Sequence, residues 1–335
     1  MPALGRVRTK LEPLRGRASS WVGLAVSAVS LAAVIWWISR QDAPSLPKSP
    51  GGVAWLALAL AIVACNFGLR GLRWHLVLRG ARIRHRARDA FGLTLVGYMG
   101  NCVLPARGGE LLKIGLLSPR SDARRRALLG TVIVERVLDC AVLGALLVGL
   151  TWAGVKTAPD AGTAAALAAG ALVLAALALA AYVRLRRRGR FERFAAAARP
   201  VAGAGHVLVE RRGLAPAALT VLIWWIDGAT LGLLARTGGL ELGLPPALGA
   251  IVLASLAAAI PAAPGYVGTF DAAMLVALHA GGVAGSKAVT ILLLARFAFF
   301  VPVTLAGLAT LVVGYGGLRG LRAYRRAEPL ARTSA

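Results

Sequence analysis

The sequence predicts an all-α polytopic membrane protein with about six full transmembrane helices and two re-entrant helical hairpins arranged as an inverted repeat. Three observations lead to this reading. Apolar runs have bilayer length, basic residues are unevenly distributed along the chain, and polar residues recur at matched spacing in its two halves.

The chain has 335 residues and is 58% apolar, more apolar and less charged than a typical soluble domain. Six apolar runs are clear, at residues 21–38, 53–69, 128–152, 161–183, 215–234 and 288–313. Each is about 17 to 27 residues long, the length needed to cross hydrocarbon. Two further stretches, 90–117 and 247–280, are each broken near the middle by Pro and Gly. The first run ends in Trp36 and Trp37 and is followed by no small-residue cleavage site, so it reads as a retained helix rather than a signal peptide. The longest hydrophilic stretch, 184–213, is too short to bury a core.

The formal net charge is +25. About 30 of the 39 Lys and Arg fall in the N-terminal tail, the loops at 70–88, 120–126 and 184–212, and the C-terminal tail. About five, Arg40, Lys48, Lys156, Arg236 and Lys287, fall in the intervening loops. The remaining four, Arg107, Lys113, Arg136 and Arg296, lie within apolar segments. This asymmetry is the positive-inside pattern and places both termini in the cytoplasm of a cell-membrane protein. The basic loops would then face anionic headgroups. No aromatic interleaving or binding module accompanies the charge, so nucleic acid is not an expected partner.

Threading the charges through the segments requires 90–117 to enter from the cytoplasm and return to it, while 247–280 must return to the outside. Their limbs, about 15 and 10 residues in the first case, are too short for two full spans. Spacing indicates an internal repeat: Asn66 and Asp227 are 161 residues apart, Pro105 and Pro264 are 159, Glu110 and Asp271 are 161, and Arg136 and Arg296 are 160. Each half reads helix, helix, hairpin, helix. An odd number of crossings per half inverts the second half, a pattern typical of transporters. The expected organisation is a basic tail at 1–20, a transmembrane domain at 21–314 with halves at about 21–155 and 160–314, and a basic tail at 315–335. Eight ordinary helices with a looser charge bias are the competing topology.

Ionisable groups at membrane depth are costly and therefore candidate functional residues. The first hairpin contains Asn101, Pro105, Arg107, Gly108, Gly109, Glu110 and Lys113. Pro and Gly free backbone amides there, and two half-helix ends could hold a phosphate or carboxylate. The alternative is an interfacial hairpin with Arg107 and Lys113 snorkelling. Glu135, Arg136 and Asp139 lie in the following helix, and Arg296 is the matching cation after the second hairpin. Arg136 or Arg296 opposite Glu110 or Asp271 would form buried pairs, which either bind substrate or only join helices. Asn66, Arg70 and Asp227 are further members of this candidate network.

Other residues point to little chemistry. His75, His85, His206 and His279 are isolated in sequence, so no metal site is expected. Cys65, Cys102 and Cys140 lie in or beside apolar runs without metal spacing and read as reduced thiols. Trp36, Trp37, Trp74, Trp152, Trp224 and Trp225 lie near segment ends and read as interfacial anchors. There is no P-loop and no Asp-x-Asp pair, and no cofactor is expected.

Three motifs then stand out: Asn101-x-x-Leu-Pro-Ala-Arg-Gly-Gly-Glu-Leu111, Glu135-Arg-Val-Leu-Asp139 and Pro261-x-x-Pro-Gly-x-x-Gly-x-x-Asp271. Together they resemble the lysylphosphatidylglycerol synthase transmembrane-region family, also described as flippase-like, from about residue 53 to 313. Asp271 stands where Glu is more usual in that family. The resemblance implies a helical domain that moves an aminoacylated phospholipid between leaflets. In the family it is sometimes fused to a soluble aminoacyl-transfer domain, and sometimes found near glycolipid and polyprenyl-lipid pathways. No transferase is attached to this chain, so a partner transferase would be encoded elsewhere. The expected partners are membrane lipids, either anionic phospholipid or a polyprenyl-phosphate-linked substrate. The leading function is a lipid or lipid-linked-substrate translocase. A membrane enzyme acting on polyprenyl-phosphate or phospholipid, and an accessory scaffold for such a pathway, are the alternatives.

Single cysteines placed in a background without native cysteines should label from the cytoplasm at position 122 and from outside at 156, 241 and 287. Labelling of position 122 from outside would contradict the first hairpin.

Overall fold

The computed structural model describes residues 49–104, 107–156, 211–258, 264–283 and 285–317. The expected spans at 21–38 and 161–183, the N-terminal tail and most of the 184–212 loop and the C-terminal tail lie outside the described residues, as do Pro105 and Pro261.

The described residues are helical, without strands. Helix α1 runs Pro50–Gly80, α2 Ala87–Val103, α3 Gly108–Leu117 and α4 Arg125–Trp152. Helix α5 runs Leu214–Thr237, α6 Leu244–Ala257, α7 Thr269–Ala280 and α8 Gly285–Tyr315. Long, short, short, long is thus followed by the same order. By length and composition, α1, α5 and α8 can cross a membrane. Helix α4 has 28 residues, about 42 Å at 1.5 Å per residue, but it carries Glu135, Arg136 and Asp139.

Local chemistry sets the boundaries. The Ser49 side chain caps α1, accepting the Gly52 amide at 3.1 Å, with Pro50 in the first turn. Helix α2 stops at Val103 because the residue before Pro105 is driven out of helical space. Helix α3 begins after Arg107, which takes the left-handed conformation at φ 56°. Helix α7 is capped from within: the Asp271 carboxylate accepts the Gly268 amide at 2.9 Å.

The basic stretch beginning at Arg70 is not a loop. Helix α1 continues through Arg70 and Arg73 to Gly80, eleven residues beyond the apolar run. The cause is partnership. Asn66, Arg70, Arg73 and Val77 share one buried face, and both arginines meet carboxylates there.

Helix α1 packs on α5, α2 on α8, and α2–α3 and α6–α7 form helical hairpins. One apolar cluster gathers Trp74, Leu93, Val96, Leu117 and Leu128 from the first half, with Leu311 from α8. Another gathers Leu231, Leu248, Met274, Leu278 and Ile291 from the second half, with Leu143 from α4. Trp74 is fully buried, its indole donating to Thr131 Oγ1 at 3.2 Å, and so is not an interfacial anchor. Trp152 is 90% and Trp225 44% exposed, the latter midway along α5.

In a bilayer, lipid tails are as apolar as leucine, so helices associate through close packing of small residues rather than burial alone. The α2–α3 hairpin follows this rule. A Cβ on Gly100 would lie 2.5 Å from the Gly109 Cα, and one on Gly109 would meet the Gly97 carbonyl and the Asn101 amide. Gly307 of α8 is pressed in the same way against Leu95 and Met99 of α2.

Gly109→Ala should therefore open the first hairpin and cost about 1–3 kcal/mol or more from overpacking. Gly144→Ala, where a Cβ meets nothing within 4 Å, should be neutral or stabilising by about 0.5–1 kcal/mol. Thermal unfolding of the detergent-solubilised chain separates the two.

Candidate functional site

The charged residues of α1, α3 and α4 converge in one buried network. Arg73, with no exposed surface, donates to Asp139 Oδ1 at 2.6 Å and to Thr220 Oγ1 at 3.1 Å, and lies 3.4 Å from Glu135 Oε1. Lys113 reaches Glu135 Oε2 at 2.7 Å, its ammonium 3.9 Å from the centre of the Trp74 ring. Lys113 therefore does not snorkel. Arg70 pairs with Asp227 and donates to Tyr98 Oη at 2.8 Å, while the Asn66 amide donates to Asp227 Oδ1 at 2.6 Å.

Arg136 is held less tightly. Its Nε is 3.4 Å from Glu110 Oε1 and its Nη1 3.2 Å from Asp139 Oδ2, with a third of the side chain exposed. Arg107 donates to the Ala258 carbonyl at 2.9 Å, lies 4.0 Å from Glu110 and stacks over Tyr266. Those contacts bring the tips of the two hairpins together. Tyr266, like Arg107, takes a left-handed φ of 56°, a conformation costing about 1–2 kcal/mol for a residue with a Cβ.

A cavity of about 170 Å³ lies beside the tips. Its polar wall is Arg70, Asn101, Arg107, Arg136, Asp139 and Asp227, and its apolar wall includes Phe67, Trp224, Phe299 and Phe300. Among the described residues two buried donors here, Arg107 Nε and Trp224 Nε1, have no hydrogen-bond partner, and neither does Asn101 Oδ1, while Arg136 Nε has only its ion pair with Glu110. Unpaired buried donors are rare because each costs its full desolvation penalty. Around the cavity five cations, Arg70, Arg73, Arg107, Lys113 and Arg136, face four carboxylates, Glu110, Glu135, Asp139 and Asp227. Among the described residues one positive charge is left over, on the side of Arg107 and Arg136, where the longest ion pair, Arg107–Glu110 at 4.0 Å, lies.

Of the residues singled out in sequence, Asn101, Arg107, Arg136, Asp139, Arg70 and Asp227 line the cavity. Glu110 joins it through both arginines, and Asn66 supports Asp227. Glu135 and Lys113 pair with each other behind the wall. Asp271 and Arg296 meet at 2.6 Å but stand apart from this network. Arg296 also donates to the Gly265 and Tyr266 carbonyls, so the pair fastens the second hairpin's own turn.

Arg73 and Trp224 were missed by the sequence analysis, the first read as loop and the second as an interfacial anchor. The repeated i, i+4, i+7 spacing of Asn66, Arg70 and Arg73 is the signal that places Arg73 on the same helix face. His75 and His85 are not isolated from each other: their ring nitrogens lie 2.8 Å apart. Among the described residues no three His, Cys, Asp or Glu side chains gather as a metal seat requires. Cys65, Cys102 and Cys140 are free thiols.

Comparison with known proteins agrees with this architecture. The chain is 28% identical over 142 residues to the glycosyltransferase AglD of Haloferax volcanii, a match covering 41% of this chain and 23% of that protein. The chain thus spans about a quarter of AglD's length. The family model for the lysylphosphatidylglycerol synthase TM region matches residues 20–307, most of the chain. With its long apolar helices, the protein is a multi-pass membrane protein belonging to the lysylphosphatidylglycerol synthase transmembrane-region family.

Proposed function

We propose that this chain is a translocase for a lipid or lipid-linked substrate, sheltering an anionic or zwitterionic headgroup beside the two hairpin tips. The observation that carries this reading is the excess of positive charge, among the described residues, around a cavity lined by Arg107 and Arg136, the two arginines with the longest ion pairs to Glu110. A phosphodiester monoanion matches this: one negative charge, and acceptor oxygens for guanidinium forks. The aromatic wall would accept the apolar part of the headgroup region and, through ring faces, a cationic substituent. Asp139 and Asp227 add opposite charge for a zwitterion.

The same reading makes the hairpins re-entrant. Limbs of 17 and 10 residues, then 14 and 12, reach roughly 15 to 26 Å at 1.5 Å per residue, short of a full crossing with its flanks. They would enter from opposite faces, as an inverted repeat requires, within six full spans and with both tails in the cytoplasm. Transport would consist of exposing the cavity to each leaflet in turn. A second reading rests on the partial likeness to a glycosyltransferase: the chain serves a glycolipid pathway as membrane subunit or scaffold, with a transferase encoded elsewhere.

In proteoliposomes with headgroup-labelled phospholipid, Arg136→Ala should slow translocation roughly ten- to hundredfold, the loss of a charge-assisted hydrogen bond of about 1.5–3 kcal/mol. Arg136→Lys should retain part of the activity. An unchanged rate per folded molecule for Arg136→Ala would refute the headgroup site.

Arg73→Ala should behave differently. It strands Asp139 and Glu135 without their innermost partner, a loss of about 3–5 kcal/mol, and should lower folded yield far more than Arg136→Ala does. Yield by size-exclusion chromatography reads the contrast.

A further inference from the structure

At one end of the bundle, the start of α2, the end of α3 and the end of α8 enclose a second cavity of about 620 Å³. Arg86, Arg88 and Arg120 line it, with Asp89 the single carboxylate. The cavity is organised rather than merely basic. Tyr315 donates its hydroxyl to Asp89 at 3.1 Å, and the Arg120 guanidinium lies 4.7 Å from the Tyr315 ring centre while donating to the Leu116 carbonyl at 2.9 Å. Asp89 is thus engaged, and Arg120 is fixed from two sides. Arg86 and Arg88 are exposed and have no ion-pair partner among the described residues.

An apolar track leads away from this cavity. Val301, Leu305, Leu308 and Val312 lie at i, i+4, i+7 and i+11 on α8, and all are 41–63% exposed. Val313, 88% exposed, sits on the cavity lip. Such a stripe on a membrane-crossing helix faces acyl chains. Its end meets a basic recess at the edge of the bundle, the combination that holds an anionic headgroup between transmembrane helices.

We propose that this recess is a binding site for an anionic phospholipid of the surrounding bilayer, separate from the cavity at the hairpin tips. The lipid phosphate is held by Arg86, Arg88 and Arg120, and its acyl chain lies along the exposed face of α8. Three guanidinium groups against one engaged carboxylate leave a net positive seat, so zwitterionic lipid fits less well. The proposal does not depend on the translocase reading, since it concerns residues that play no part in that cavity.

The test uses the full chain purified in detergent. Its melting temperature is measured with added phosphatidylglycerol, phosphatidylcholine or inorganic phosphate, and bound lipid is counted by native mass spectrometry. Phosphatidylglycerol should raise the melting temperature by several degrees and appear as a retained lipid, while the other two should not. Arg86→Ala with Arg88→Ala should weaken retention at least tenfold. Val313→Glu, a change at an exposed position, should do the same by placing a carboxylate on the lip. Arg124→Ala with Arg126→Ala, which removes two exposed arginines outside the recess, should leave retention unchanged. Equal stabilisation by inorganic phosphate would overturn the lipid assignment, and equal loss in the Arg124 and Arg126 variant would overturn the site.

Discussion

A buried charge must be cancelled where it stands, and most of this structure follows from that requirement. Arg73 has no contact with the outside, so α1, α4 and α5 must approach closely enough for Asp139, Glu135 and Thr220 to reach it. Glu135 in turn needs Lys113, which fixes α3 against α4. Asp227 needs Arg70 and Asn66, which fixes α5 against α1. In lipid no apolar driving force could hold these helices in register by itself. The ion pairs supply direction, and the glycine contacts allow the approach they demand. Each pair taken singly adds little net stability, because desolvation offsets attraction. Their role is to make every alternative register costly.

The second hairpin shows the same rule in a smaller setting. Arg296 satisfies Asp271 and two turn carbonyls at once, so the backbone freed by the Gly265 turn is not left bare. In the first hairpin Arg136 meets Glu110 at 3.4 Å but, among the described residues, donates to no turn carbonyl. Arg107 reaches across to Ala258 instead, so each tip is supported by the other.

Much of this was legible in sequence. Pro and Gly breaks inside apolar stretches marked both hairpins, and the 160-residue spacing paired Glu110 with Asp271 and Arg136 with Arg296. Of the pairings left open between these two carboxylates and two arginines, the structure shows Glu110–Arg136 and Asp271–Arg296. The function of the second pair was not legible, because matched spacing indicates position but not surroundings. The extent of α1 was missed for a related reason. An arginine after an apolar run reads as the membrane edge unless its partner is known, and Asp139 lies 66 residues further along the chain. Trp74 and Trp224 failed similarly: an indole in an apolar run says nothing about which side of the helix it occupies, and Trp224 lies midway along α5.

Two contacts join positions that correspond across the spacing: the Asn66 amide with Asp227 at 2.6 Å, and the Arg107 guanidinium with the Tyr266 ring at 5.5 Å. Such positions lie where a unit would meet its own copy. If the two halves were separate identical chains, the residue at each place would face itself. Aspartate facing aspartate repels, and arginine facing arginine does the same. A donor opposite an acceptor, or a guanidinium opposite a ring, is possible only after the two copies share one polypeptide and can change independently. On the proposed repeat, joining two copies in one polypeptide would open at these contacts a chemistry closed to a symmetric dimer. The same freedom would let one hairpin tip carry Arg107 and the other Tyr266.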